Sequence, residues 1–227
     1  MFTSLSESII GRATERGVIG LKFHQLRDFA EDKHKTVDDT PYGGGPGMVL
    51  KVDVVDRALT HIKEGIKERS GTMPKVILLT PQGQPFSQRK AEQLSGHEDI
   101  VLICGHYEGY DERIREYLVD EEISLGDYVL SGGEIAAMAV IDATARLVPG
   151  VLGKEESSSE ESFSLQDDHG HQLLEYPVYT RPENYKGWTV PEILKSGHHE
   201  EIKKWRYRQA VERTKEKRPD LLVSNKK

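Results

Sequence analysis

Three times in this sequence a short apolar run meets a glycine-bearing loop, and that recurrence restricts the fold more than any other feature. KVILLT leads into TPQG (Thr80 to Gly83), and Ile100 to Ile103 leads into CGHYEGYDER (Cys104 to Arg113). The segment SLGDYVLSGGE (Ser124 to Glu134) holds an apolar strand-like core, Tyr128, Val129 and Leu130, closed at both ends by glycine. Glycine permits positive φ and lets backbone approach a ligand closely, so Gly126, Gly132 and Gly133 suggest a loop wrapped around something small and flat. In series, such units place their loops at the carboxyl ends of adjacent strands, where open α/β sheets bind ligands. Each glycine taken singly would serve equally as a turn or a helix stop.

Helical periodicity alternates with these runs. Ser4 to Arg16 carries Leu5, Ile9, Ile10 and Ala13 at helical spacing, and Val52 to Arg69 carries Val55, Ala58, Leu59, Ile62 and Ile66. Ser87 to Leu94 is a short helix, and Glu134 to Leu147 turns Ala137, Val140, Ile141, Thr144 and Leu147 inward before Pro149 and Gly150 stop it. Val18 to Leu26 alternates and predicts a strand. Strands alternating with helices indicate an α/β domain with a mostly parallel sheet over residues 1–153. The alanine-rich helix from Glu134 suits either a core position or a subunit contact.

Past that domain, Lys154 to Asp168 is dense in serine and acid and poor in apolar residues, which predicts a flexible interdomain loop over 154–172. Residues 173–227 then form a small helical module. Pro191 opens one helix that ends at Gly197, and Glu200 to Thr214 forms another with Ile202, Trp205 and Gln209 on one side. Charge separates the two parts. The chain as a whole carries a formal −7, yet residues 195–227 hold 11 Lys and Arg against 5 Asp and Glu, leaving 20 basic and 33 acidic side chains in residues 1–194. An acidic body with a basic tail points to nucleic-acid contact, and a solvated, charge-rich helix would look the same.

Other classes are set aside by what the sequence lacks. No apolar run reaches the roughly 20 residues of a membrane span, and the N-terminal MFTSLSESIIGRATERG has neither the basic start nor the apolar core of a signal peptide, so a cytoplasmic protein is expected. Cys104 is the one cysteine, which excludes an intrachain disulfide. It lies two residues before His106, so it is either a thiol nucleophile or a small buried residue ending a strand. The glycine cluster Tyr42 to Met48 lacks the Gly-Lys-Ser/Thr of a phosphate loop, and as a long ordered loop or a surface linker it has no periodicity around it.

PYGGGPGM, TPQG, CGHYEGYDER, LGDYVLSGGE, ARLVPGVLG (Ala145 to Gly153), LLEYPVYTRP and SGHHEEIKKWR (Ser196 to Arg206) together resemble the bacterial tRNA (guanine-N1)-methyltransferases, the TrmD-type enzymes of the SPOUT superfamily, over almost the whole chain. The resemblance implies a deep trefoil knot in the α/β domain, S-adenosylmethionine bound in the knot loops, an obligatory homodimer, and methylation of N1 of guanosine 37 beside the anticodon. By the same resemblance, Thr80, Pro81, Gly105, Tyr107, Glu108, Ser124, Leu125, Gly126, Asp127, Tyr128, Val129, Leu130, Gly132 and Gly133 hold the cofactor. Tyr42, Gly43, Gly44, Gly45, Pro46, Gly47 and Glu175 receive the target guanine. Mg2+ is also implied, without identified ligands. A SPOUT-like enzyme for another RNA position and a catalytically silent RNA-binding relative are the alternatives.

The chemistry of the substrate sets two roles. N1 of guanine carries a proton and needs a general base, and the charge moving to O6 needs a cationic donor. The resemblance assigns the donor role to Arg146 and the base to a carboxylate of the acidic segment, supplied across the dimer. Where the family usually has aspartate before Ser162-Phe163, this chain has Glu161, one methylene or about 1.5 Å longer. A misplacement of that size can cost about a hundredfold in rate, so Glu160, Asp167, Asp168 and Glu175 are rivals, with Glu161 favoured and Glu175 second. LQDDHGHQ (Leu165 to Gln172) is a few residues longer than the family's usual loop. Relatives also begin with a strand ending in Phe-Pro that this sequence lacks, which predicts a sheet one strand short and a less stable fold.

Overall fold

The computed structural model describes residues 1–106, 109–152 and 161–223. The chain divides into two compact units, Met1–Gly153 and Lys154–Lys227. The first contains α1 (Ser8–Glu15), β1 (Asp38–Asp39), β2 (Val49–Leu50), α2 (Val52–Ser70), β3 (Lys75–Pro85), α3 (Gln88–Ser95), β4 (Ile100–Cys104), β5 (Gly109–Tyr110), α4 (Glu112–Tyr117), β6 (Glu121–Ser124) and α5 (Glu134–Ala145).

Strands β4, β3 and β6 form a parallel sheet in that order. Its central strand is apolar without interruption from Val76 to Leu79 because both faces are covered there. Val76 and Leu78 pack with Val55 and Leu59 of α2, with Ile103, and with Ile114 of α4. Ile77 and Leu79 point the other way, against Leu94 of α3 and Ala137 and Val140 of α5. Local signals set the helix ends. Ser87 accepts a hydrogen bond from the Lys90 N–H at 3.3 Å to cap α3, and Gly71 closes α2 in the left-handed conformation at φ 75°.

Strand β3 does not stop at the sheet edge. Leu79 pairs with Ile123, residues 80–83 loop outward, and Gln84 returns to pair with Ile123 again. Gly83 makes that return possible, since a Cβ there would lie 2.5 Å from the Glu122 carbonyl carbon. A smaller sheet, β1–β2–β5, pairs β2 antiparallel to β1 and parallel to β5.

Three expectations are corrected. Val18 to Leu26 forms no strand among the described residues. Its alternation reflects one-sided burial, with Ile19 and Leu21 packed on Leu5, Ile10 and Ala145 and Phe23 stacked on Phe2 at 4.6 Å, while alternation alone supplies no ladder partner. Tyr128, Val129 and Leu130 are loop, with Tyr128 53% and Val129 84% exposed, because β6 just before them takes the edge beside β3. The second unit is not all helical. Besides α6 (His199–Lys217) it has an antiparallel hairpin, β7 (Asn184–Tyr185) with β8 (Trp188–Thr189), turned by Lys186 at φ 54° and Gly187 at φ 88°. Asparagine, glycine and an aromatic pair across the strands favour that turn. Leu173, Tyr176 and Ala210 form the core of this unit.

Candidate functional site

The parallel pairing brings the three glycine loops to one place. Leu79 lies opposite both Cys104 and Ile123, so Thr80, Gly105 and Ser124 leave the same sheet edge side by side. Thr80 is 7% and Ser124 4% exposed. The Gly133 N–H donates to the Gly105 carbonyl at 2.8 Å, joining the second loop to the third. Neither glycine has space for a side chain: a Cβ on Gly105 would meet the Tyr110 ring at 2.2 Å, and one on Gly133 would meet Cys104 Cα at 2.8 Å. Gly126, at φ 148°, is held by Ser124, whose Oγ accepts from its N–H at 3.1 Å. Leu125 and Leu130 pack on the Ile77 cluster, while Pro81, Asp127, Tyr128 and Val129 are exposed. Gly132 faces Glu134 and His106, whose side chains meet at 2.5 Å. Tyr107 and Glu108 lie outside the described residues.

Tyr42, Gly43, Gly44, Gly45, Pro46 and Gly47 are all exposed and connect β1 to β2. Gly43, Gly44, Gly45 and Gly47 have φ between 77° and 128°, which is why this turn needs glycine. Because β5 pairs with β2, this loop is anchored beside the chain that leaves the Cys104 loop.

Two fasteners of the loops were not legible in the sequence. The Tyr110 hydroxyl donates to the Leu79 carbonyl at 2.9 Å. From α4, Arg115 donates to Thr80 Oγ1 at 3.3 Å and to Gln82 Oε1 at 2.5 Å. Sequence separations of 31 to 35 residues leave no local signal for either.

Cys104 resolves as a half-buried residue ending β4. Burial, helped by the Glu134 carboxylate, pushes its thiol up to about 12, so the nucleophilic thiolate is absent at neutral pH. Iodoacetamide should leave native Cys104 unmodified at pH 7 to 9 and label it fully in denaturant. Rapid labelling of the folded chain, read by intact mass, would contradict this account.

Arg146 caps the C-terminus of α5, half-buried, with its N–H donating to the Asp142 carbonyl at 3.2 Å. Glu161 belongs to the second unit and is also half-buried. Glu161 to Gln172 is a hydrogen-bonded hairpin: Phe163 N–H donates to the Leu173 carbonyl at 2.7 Å, and Gln166 bridges Gln172. The Glu175 N–H donates to Ser162 Oγ at 3.1 Å, bringing the backbones beside Glu161 and Glu175 together. Asp167 is used differently. Burial opposes its charge, but the His171 ring at 2.9 Å and the N–H groups of His171 and His169 hold its carboxyl down at about 2. So weak a base is a poor proton acceptor, and Asp167 is a turn-building residue. Glu160 and the rest of 153–160 lie outside the described residues, and Asp168 is exposed.

With this geometry in view, comparison with known proteins is decisive. The family model for tRNA (Guanine-1)-methyltransferase TrmD matches residues 1–224. The chain belongs to this family. Among curated relatives, the tRNA (guanine-N(1)-)-methyltransferase of Brevibacillus brevis is 55% identical over 223 residues, covering 98% of this chain and 87% of the relative. That of Halalkalibacterium halodurans is 51% identical over 222 residues (98% and 86%), and one from Dehalococcoides mccartyi 50% over 223 (98% and 86%).

Proposed function

We propose that this chain transfers the methyl group of S-adenosylmethionine to N1 of guanosine 37 in tRNA. The observation that carries the reading is the convergence of the Thr80, Gly105 and Ser124 loops at one sheet edge, in a chain whose relatives bear that enzyme's name over nearly its whole length. When bound, S-adenosylmethionine supplies an electrophilic methyl group on a sulfonium that leaves as a neutral thioether. The loops suit such a ligand by their convergence: Gly105 and Gly133, packed against Tyr110 and Cys104 where a Cβ would collide, let the loops approach one another, and Thr80, Leu125 and Leu130 supply adjoining side chains. The finer family features, the trefoil knot through these loops, the homodimer and a cytoplasmic location beside tRNA, belong to the same reading. For the homodimer, Ile135 on α5 is 46% exposed among alanines, an apolar surface suited to a second copy. No helix among the described residues is long and apolar enough to cross a membrane.

Within this reading each residue has a task. The Glu161 carboxylate takes the proton from N1, and Glu175, tied to the same turn, is the second candidate. The Arg146 guanidinium donates to O6 as negative charge gathers there. The loop at Tyr42 to Gly47 lets a splayed base lie against glycine backbone. Mg2+ finds no support in the geometry: the described residues contain no group of three or more His, Cys, Asp or Glu placed to hold a metal, and no step is assigned to one.

The test is methyl transfer from labelled S-adenosylmethionine to two tRNAs differing only in guanosine or adenosine at position 37, with and without Mg2+. Label should enter the guanosine form alone. Equal labelling of both would place the target elsewhere in the RNA, and labelling of neither would leave a silent RNA-binding relative.

A further inference from the structure

Arg115 sits in α4, outside every loop that resemblance assigns to a ligand, yet its side chain is only 15% exposed. Its guanidinium reaches four partners. It donates to Thr80 Oγ1 at 3.3 Å and to Gln82 Oε1 at 2.5 Å, and it lies 3.0 Å from Glu122 on β6 and 3.5 Å from Glu112 on its own helix. The contact with Glu122 joins Arg115 Nε to Glu122 Oε2, two buried atoms that make no aligned hydrogen bond, so their attraction is coulombic. A planar guanidinium with five fixed donors can make these contacts together, whereas an ammonium is a single point charge.

The loop it grips is packed at both ends, by buried Thr80 and by Gly83 against Glu122, and its exposed middle is held through side-chain hydrogen bonds. Residues 80–83 bulge out of the β3–β6 ladder between the pairings Leu79↔Ile123 and Gln84↔Ile123. Pro81 and Gln82 are exposed, and within the loop the Gln82 N–H reaches Thr80 Oγ1 at 3.3 Å. Apart from that turn, the side-chain hydrogen bonds of Thr80 and Gln82 among the described residues run to Arg115. Glu122, which anchors Arg115, is itself the β6 residue beside which Gly83 packs, so one ion pair ties the bulge to the strand it leaves and rejoins.

We propose that Arg115 is a positioning residue that presets the Thr80–Gly83 loop for the methyl donor, an inference that rests on the S-adenosylmethionine reading above. A loop held in its binding shape before the ligand arrives loses less freedom on binding, so removing the strap weakens affinity for the donor while leaving tRNA affinity alone. The effect passes through Gln82 and Thr80, which makes it separable from a simple loss of stability.

The experiment is calorimetric titration of S-adenosylmethionine into the full chain and into Arg115→Met, Arg115→Lys, Gln82→Leu and Arg115→Met/Gln82→Leu, with tRNA binding and melting temperature recorded for each. Arg115→Met should raise the donor Kd about tenfold and Arg115→Lys less, with the tRNA Kd within about twofold of the starting chain. Gln82→Leu should raise the donor Kd severalfold alone and add nothing in the Arg115→Met background, the non-additivity expected of contacting residues. A donor Kd unchanged in Arg115→Met, or additive effects in the double variant, overturns the proposal. Should Arg115→Met not fold, Arg115→Lys and Gln82→Leu, alone and combined, decide the question by the same criterion. A starting chain that binds no S-adenosylmethionine overturns the functional reading, and this proposal with it. A fall in melting temperature without a change in donor Kd assigns Arg115 to stability alone.

Discussion

Replacing Gly133 with alanine is expected to abolish tight S-adenosylmethionine binding and to destabilise the first unit by about 1–3 kcal/mol, the usual range for forcing extra atoms into a packed site. The new Cβ would lie 2.8 Å from Cys104 Cα, 2.9 Å from Gly105 N and 3.2 Å from the Cys104 carbonyl carbon. All three are backbone atoms, so no side-chain rotation relieves the clash. The end of β4 must move away from the start of α5, breaking the 2.8 Å hydrogen bond from Gly133 to Gly105. Backbone strain is not the cause, because φ at Gly133 is an ordinary −76°. Gly65 is the control. It is exposed within α2, and a methyl group added there would meet nothing within 4 Å, so alanine should raise stability by about 0.5–1 kcal/mol through helix propensity. Chemical denaturation and donor titration on both variants separate the effects, and a Gly133→Ala chain that binds normally would refute the close-packing account of the cradle.

The second large effect is on turnover. Arg146→Ala should lower kcat by about 10²–10³, the scale for losing a donor to developing oxyanion charge, while leaving the donor Kd unchanged. Glu161→Gln keeps shape but removes the proton acceptor, and general-base loss of this kind costs about 10²–10⁴. Because both act on one transition state, the double variant should lose less than the product of the single losses. Single-turnover methylation at saturating S-adenosylmethionine measures this directly. If both variants transfer methyl at the starting rate, the assignment of roles fails. If Glu161→Gln transfers methyl at the starting rate and Glu175→Gln does not, the base is Glu175, whose backbone shares the Ser162 turn.

Much of the architecture was legible because its signals are local. Continuous apolar runs at Val76 to Leu79 and Ile100 to Ile103 became parallel strands, the first buried throughout and the second half-buried apart from buried Ile103, and the stripe Val55, Ala58, Leu59 became the buried face of α2. The failures share one cause. Val18 to Leu26 has the alternation of a strand, and Tyr128 to Leu130 its composition, but a strand exists only where a ladder partner does, and neither segment has one among the described residues. Likewise the hairpin Asn184–Tyr185 with Trp188–Thr189 sits in a stretch too short and proline-rich to show period-two patterning.

The sequence by itself determined the family and the residue types in its loops. Glycine at 105, 126, 132 and 133, a carboxylate at 161 and an arginine at 146 are facts of residue type, and family membership follows from the match over residues 1–224. Tertiary structure alone decided what holds those loops in place. Leu79 opposite both Cys104 and Ile123, Tyr110 bonded to the Leu79 carbonyl, and Arg115 reaching Thr80 and Gln82 join residues 25 to 44 positions apart, while the burial that holds the Cys104 thiol protonated comes from the same packing. The physical reason is that contact, desolvation and close backbone approach depend on distance in space, which periodicity along a chain does not encode.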